Sequence, residues 1–136
     1  MTRIAILGAG IGAEHLTGYR ALPDRFTVAA LCDRDLDRAK IVVTGDSSIR
    51  LEADIDAVLA DDSIDLVDIC LPPHLHAPVA VAALDAGKHV ICEKPLARSL
   101  AEVETIGAAR ERSGREVFPV FQYRFGPAFA ALDALV

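Results

Sequence analysis

Along the chain, short runs of aliphatic and β-branched residues alternate with longer Ala-rich stretches. The runs predict strands at Arg3 to Leu7, Thr27 to Cys32, a short weak one near Ile49 to Leu51, Leu66 to Leu71, His89 to Cys92 and Val117 to Phe121. The stretches between them predict helices at roughly Gly12 to Leu22, Asp35 to Val42, Ile55 to Ala60, His76 to Ala86 and Leu100 to Arg112. Most strands read as near-continuous apolar runs rather than strict alternation, which is what strands covered on both faces require. Turn residues fall between the elements, at Pro23-Asp24, Gly45-Asp46, Gly87 and Gly114. Regular β-α alternation of this kind predicts an α/β fold: a doubly wound parallel sheet of about six strands with helices on both faces. At the end of the chain, Phe129, Leu132, Leu135 and Val136 share one helical face, and no Gly, Asn or basic residue closes it. Residues 1–124 therefore read as one domain, and 125–136 as the start of a helix cut off mid-run and leading to a further domain.

Composition narrows the function classes. The 136 residues suffice for one core of ordinary size. Lys and Arg number 14 against 20 Asp and Glu, a net charge of −6, which works against binding nucleic acid or an anionic membrane surface. Apolar residues make up 52%, but 23 of them are Ala, so the excess is small helix formers rather than bulky core. The longest apolar runs, such as Ala77 to Leu84, fall far short of the roughly 18 residues that span a bilayer. Cys32, Cys70 and Cys92 are widely spaced and form no CxxC pair. Neither a disulfide framework nor a zinc site is indicated, and a reducing, cytoplasmic setting is expected. Each cysteine ends an apolar strand, as a small buried hydrophobe would. His74 and His76 are two apart and diverge on a helix, so no metal site is expected.

Candidate chemistry begins at Gly8-Ala9-Gly10-Ile11-Gly12-Ala13, between a predicted strand and a predicted helix. Arg3 followed by the apolar stretch to Ala13 superficially resembles a signal peptide, but three alternate glycines suit a strand-to-helix turn better. In a GxGxxG/A arrangement Gly8 allows the tight turn, Gly10 lets backbone amides approach a pyrophosphate, and Ala13 keeps the helix close to the strand. The next strand ends at Asp33, 20 residues beyond Ala13, where an acid can accept hydrogen bonds from an adenosine ribose. Loop and acid together favour a dinucleotide. A carboxylate there repels a 2′-phosphate, so NAD is expected over NADP, although the neighbouring Arg34 could hold that phosphate or lie over the adenine. Asp33 could also serve only as the N-cap of the helix that follows. After the strand His89 to Cys92 comes Glu93-Lys94-Pro95-Leu96, at the carboxyl end of a strand, where open α/β sheets bind ligands. An ammonium at Lys94 can hydrogen-bond ribose and substrate hydroxyls; the alternative is a solvated lysine paired with Glu93.

Four segments, Ile6 to His15, Ile69 to His76, Glu93 to Leu96 and Arg124-Phe125-Gly126-Pro127, resemble the N-terminal half of the glucose-fructose oxidoreductase, inositol dehydrogenase and rhizopine-catabolism family, Gfo/Idh/MocA. The resemblance implies a Rossmann domain in which Gly8, Gly10 and Ile11 line the pyrophosphate, and Asp33 with Arg34 the adenosine. It further implies that Leu71, Pro72 and His76 flank the cofactor, although members usually carry Thr or Ser at position 71 and often Asn at 73. Glu93, Lys94 and Pro95 would sit at the nicotinamide ribose with Lys94 as the catalytic residue, across a Lys94-Pro95 bond similar to one that is cis in the family. Gln122 and Arg124 would lead toward a second domain, which supplies the proton acceptor and often the oligomer interface. The implied activity is hydride transfer between NAD and a sugar, cyclitol or related polyol, with a homo-oligomer at full length and no activity expected of this chain alone. The alternatives are a non-catalytic NAD-binding module or redox sensor, or a glycosidase that uses NAD transiently, since such hydrolases resemble this N-terminal half. His15 reads as a surface or packing residue of the first helix, His74 as a turn residue, and His76, if it does not flank the cofactor, as a helix cap.

Overall fold

The computed structural model describes residues 1–133, apart from the side chains of residues 128 and 130. Six strands form one sheet: β1 (Thr2–Leu7), β2 (Phe26–Cys32), β3 (Arg50–Glu52), β4 (Leu66–Ile69), β5 (His89–Cys92) and β6 (Val117–Pro119). Every adjacent pair is parallel, in the order β3-β2-β1-β4-β5-β6. The chain thus winds outward from β1 in one direction, then returns to β1's other side and winds the opposite way. This order belongs to the Rossmann fold, with a crevice between β1 and β4 where the direction reverses.

Five helices cover the sheet: α1 (Gly12–Arg20), α2 (Leu36–Val42), α3 (Ile55–Leu59), α4 (Pro73–Asp85) and α5 (Leu100–Ser113). Alternate residues of the central strands enter two separate cores. Ile4, Ile6, Leu31 and Leu66 pack with Leu16 of α1 and Ala39 of α2 on one face. Ala5, Leu7, Val67, Ile69 and Val90 pack with Val58 of α3, Ala80 and Leu84 of α4, and Ile106 of α5 on the other. The continuous apolar strands are the sequence expression of these two cores. Small residues on α4, Ala77, Ala80 and Ala83, are buried against the sheet. Helix starts follow side-chain chemistry: Asp35, Asp54 and Ser99 cap α2, α3 and α5 by accepting the N–H of Arg38, Asp56 and Glu102. No side chain caps α1.

Most element bounds shift by one or two residues from the sequence reading, β4 and β6 each stopping two residues early, and two departures have a clear local cause. Helix α4 begins at Pro73, three residues earlier than expected, with Pro72 at its N-cap; prolines are accepted in a first helical turn, where the missing N–H has no partner to lose. Phe125 belongs to a 3-10 turn (Gln122–Phe125) rather than to the last helix, α6, which starts at Pro127. Gly126 is held extended, at φ −80° and ψ 154°, as the residue before a proline is, so the two segments cannot fuse. The apolar face expected of the final helix is open to solvent in part: Leu132 is 58% exposed and Phe129 39%. Leu135 and Val136 lie outside the described residues. Among the described residues no helix is long and apolar enough to cross a membrane.

Candidate dinucleotide site

At the carboxyl ends of β1, β2, β3 and β4 the loops enclose a cavity of about 610 Å³. Gly8 and Gly10 line it from the loop after β1, Asp33 and Arg34 from the end of β2, and Leu71 and Pro72 from the end of β4. Cys32, Arg38, Ala53, Asp54 and Cys70 complete much of the wall. A second hollow of about 460 Å³ lies at the opposite, amino end of the sheet beside Thr2, Lys88 and Arg115, away from the strand ends where ligands enter open α/β sheets.

The glycines divide the work of the loop. Gly8 has φ +103°, and a Cβ on it would come 2.5 Å from the carbonyl oxygen of Cys70, so the turn that carries β1 into the loop admits no side chain. At Gly10 a Cβ would meet nothing within 4 Å; the backbone there borders open cavity. Gly12 is the residue that brings helix and strand together, since its Cβ would lie 2.7 Å from Ile6 Cγ2. That role was expected of Ala13, which is only half-buried. Ile11 stands at the N-cap of α1, exposed. No side chain caps α1, and the Ala13 and Glu14 amides turn back onto the Gly10 and Ile11 carbonyls at 3.2 and 2.9 Å, so the amides left to solvent or an anion at this helix start are those of Ile11 and Gly12.

Asp33 is 7% exposed and does more than end a strand. Its Oδ2 accepts the Ala9 N–H at 2.7 Å, its Oδ1 accepts the Asp35 N–H at 2.9 Å, and Arg38 Nη2 donates to both oxygens at 2.7 and 2.8 Å. Burial pushes its pKa up, but the hydrogen bonds from Arg38, Ala9 and Asp35 and the guanidinium charge outweigh it and hold the carboxyl below its usual range. Asp35, not Asp33, is the cap of α2. The guanidinium that meets the carboxylate is Arg38; Arg34 is exposed on the cavity wall. Asp33→Ala should lower stability by about 1 to 3 kcal/mol, the cost of leaving the buried Ala9 amide without an acceptor. A thermal melt indistinguishable from wild type would show that the carboxylate has no structural duty.

The remaining expected site residues lie outside that cavity. His76 is buried; its Nδ1 and Nε2 each lie 2.7 Å from a backbone carbonyl oxygen, of Pro95 and Leu71 respectively. It neither faces the cavity nor caps α4, but pins the loop after β4 to the turn after β5. In that turn Lys94 and Pro95 are exposed, Glu93 is buried, and the Lys94-Pro95 peptide is cis. Gln122 is exposed on the 3-10 turn. His74 is exposed on the first turn of α4.

His15 is neither a surface nor a simple packing residue. It is joined to Asp68 of β4 and to Glu93, and Tyr19, one turn along α1, donates its hydroxyl to the same Asp68 oxygen at 2.8 Å. His15, Asp68 and Cys70 bring possible ligand atoms within 4.8 Å of one another. The 2.8 Å between His15 and Asp68 is nevertheless a hydrogen-bond separation, with a proton in the space between. Burial first, then the neighbouring acids, raises the thiols of all three cysteines, Cys32 and Cys92 to about 12. All three are buried and free, as small apolar residues should be. The sequence held a signal for this cluster in Asp68, an acid in the middle of the apolar strand Leu66-Val67-Asp68-Ile69, since a carboxylate is buried only with partners.

A parallel sheet in this strand order, with a glycine loop, an uncapped helix and a buried acid around one cavity at the reversal point, defines a dinucleotide-binding domain. Residues 2–121 match the family described as "Oxidoreductase family, NAD-binding Rossmann fold". The chain belongs to this family, Gfo/Idh/MocA, and is its N-terminal NAD-binding domain. It is 38% identical to an uncharacterized oxidoreductase, ORF334, of Rhizobium meliloti, over all of this chain and 41% of that protein. It is 31% identical to inositol 2-dehydrogenase 4 of Saccharopolyspora erythraea, over 96% of this chain and 39% of the relative. GenD2 from gentamicin A biosynthesis, solved in complex with NAD, superposes with a TM-score of 0.91 at 27% identity, over 98% of this chain and 38% of its own. The chain thus spans about two fifths of the length of these relatives.

Proposed function

We propose that this chain is the nucleotide-binding half of an oxidoreductase that moves a hydride between NAD and a carbinol carbon of a sugar, cyclitol or related polyol. The observation that carries the reading is the convergence, at one strand-end cavity, of Gly8, the open position at Gly10, the uncapped start of α1 and Asp33. These features suit a pyrophosphate flanked by an adenosine: Gly8, Gly10 and Ile11 would hold the former, and Asp33, Arg34 and the newly found Arg38 the latter. Leu71 and Pro72 would lie against the cofactor as apolar walls. His76 would act from behind, by holding the Leu71 and Pro95 carbonyls together. When bound, the nicotinamide supplies the acceptor for the hydride. Glu93 and Lys94 would stand at its ribose, with the exposed ammonium of Lys94 free to donate a hydrogen bond to the substrate hydroxyl and favour alkoxide character as the hydride leaves. Gln122 would lie on the path toward a substrate domain, beginning near residue 125, that supplies the group taking the hydroxyl proton. The polyol class rests on relatives such as the inositol dehydrogenase.

Calorimetric titration with NAD and NADP tests the cofactor, and NAD should bind more tightly. The reaction is tested in a chimera in which this chain replaces the matching domain of that inositol dehydrogenase. Inositol-dependent NADH formation is expected, and Lys94→Ala should reduce its turnover on the order of 10²-fold while NAD still binds. A chimera that binds NAD and forms no NADH, or one indifferent to Lys94→Ala, would refute the catalytic reading.

A further inference from the structure

His15 stands between two acids. Its Nδ1 lies 2.8 Å from Asp68 Oδ2 and its Nε2 3.2 Å from Glu93 Oε1. A neutral imidazole has one N–H and serves one of them; only the imidazolium donates to both. The groups that face it are Asp68 and Cys70 from the end of β4, Glu93 from the end of β5, and Tyr19 from its own helix through Asp68. Cys70 Sγ is 3.5 Å from Nδ1. Asp68 is fully buried and anchored in a central strand. Glu93 is at the turn: its Oε2 accepts the backbone N–H of its neighbour Lys94 at 3.0 Å. A continuous run of hydrogen bonds therefore leads from the helix that carries the glycine loop, through one imidazole, to the backbone of the Lys94 turn.

We propose that His15, as an imidazolium, is a positioning residue that fixes the Glu93-Lys94 turn against the glycine-loop helix and thereby sets affinity for the nicotinamide end of the cofactor, leaving the adenosine end untouched. This rests on the assignment of Glu93 and Lys94 to the nicotinamide ribose. The hydrogen bond to Asp68 is the largest influence on the imidazole; together with the Asp68 charge and the Glu93 contacts it overcomes burial and raises the pKa above the ordinary histidine value of 6.5. The bridged form accordingly prevails below that raised value, and the bridge to Glu93 is lost as pH rises through it. Asp33, Arg38 and Gly10 do not enter the network, and the adenosine end should not sense it.

The test compares NADH with ADP, which carries adenosine and two phosphates but neither the second ribose nor the nicotinamide. In titrations of the 136-residue chain, His15→Gln should weaken NADH about tenfold, the order of one lost charge-assisted hydrogen bond, and leave ADP within about twofold. For the wild-type chain the ratio of NADH to ADP affinity should fall as pH rises from about 7.5 to 9, above the ionisation of the ADP terminal phosphate, while the variant's ratio stays flat. Equal weakening of both ligands would assign His15 to the packing of α1 and overturn the proposal. So would a wild-type ratio that does not change with pH, a measurement that stands even if the variant fails to fold. Glu93→Gln, which weakens the same bridge from its other end, should reproduce the selective loss of NADH; an unchanged NADH affinity there would also overturn it. ADP binding without any gain from NADH in the wild type would instead overturn the placement of Glu93 and Lys94, and the inference with it.

Discussion

Gly8→Ala is expected to destabilise the domain by about 2 to 6 kcal/mol. Two independent penalties add at this residue. At φ +103° an L side chain is strained, which costs on the order of 1 to 3 kcal/mol. The new methyl would also stand 2.5 Å from the Cys70 carbonyl oxygen, and that oxygen belongs to the backbone leaving the central strand β4, so relief means moving the sheet; forced overpacking of this kind costs about 1 to 3 kcal/mol more. Urea unfolding followed by circular dichroism measures the sum. A loss below about 1 kcal/mol would show that the turn tolerates a side chain.

Gly10 should behave in the opposite way. A Cβ there meets nothing within 4 Å, and the residue is not in the left-handed region, so Gly10→Val should melt close to wild type. Its isopropyl group would occupy the cavity wall where backbone amides are meant to approach a pyrophosphate. Losing two charge-assisted hydrogen bonds of about 1.5 kcal/mol each is a loss in NADH affinity on the order of 10²-fold. Unchanged affinity in a folded Gly10→Val would place the pyrophosphate elsewhere. Taken together, the two glycines separate what the loop does for folding from what it does for binding.

The sheet was legible in the sequence because its central strands are buried on both faces: apolar runs and the helices between them translate directly into strands and cover. Positive-φ glycines at 45, 87 and 114 fell where turns were expected for the same local reason. What escaped was contact between side chains of separate elements. Arg38 is five residues beyond Asp33, on a helix whose first turn folds back over the strand end, and nothing in a charged surface helix marks which of its basic residues returns to a buried acid. His15, Asp68 and Glu93 are brought together by three separate elements, and only the lone acid inside β4 hinted at the meeting. The start of α4 was missed because Pro72 and Pro73 precede the Ala-rich run that marks the helix, although prolines are tolerated at a helix start. Arg38 matters most for the proposed cofactor, since the sequence pointed to Arg34 as the cation beside the ribose.

The saturation of Asp33 changes what kind of event cofactor arrival is. Each carboxylate oxygen already receives two donors, one from the backbone and one from Arg38, which fills the positions a carboxylate ordinarily offers. On the proposed reading, ribose hydroxyls reach Asp33 only by displacing the guanidinium, and docking at this end is an exchange of one partner for another rather than the filling of a vacant acceptor. Affinity there is then the difference between two similar charge-assisted interactions. The acid that marks the adenosine end so plainly would contribute more to orienting the dinucleotide than to the tightness with which it is held.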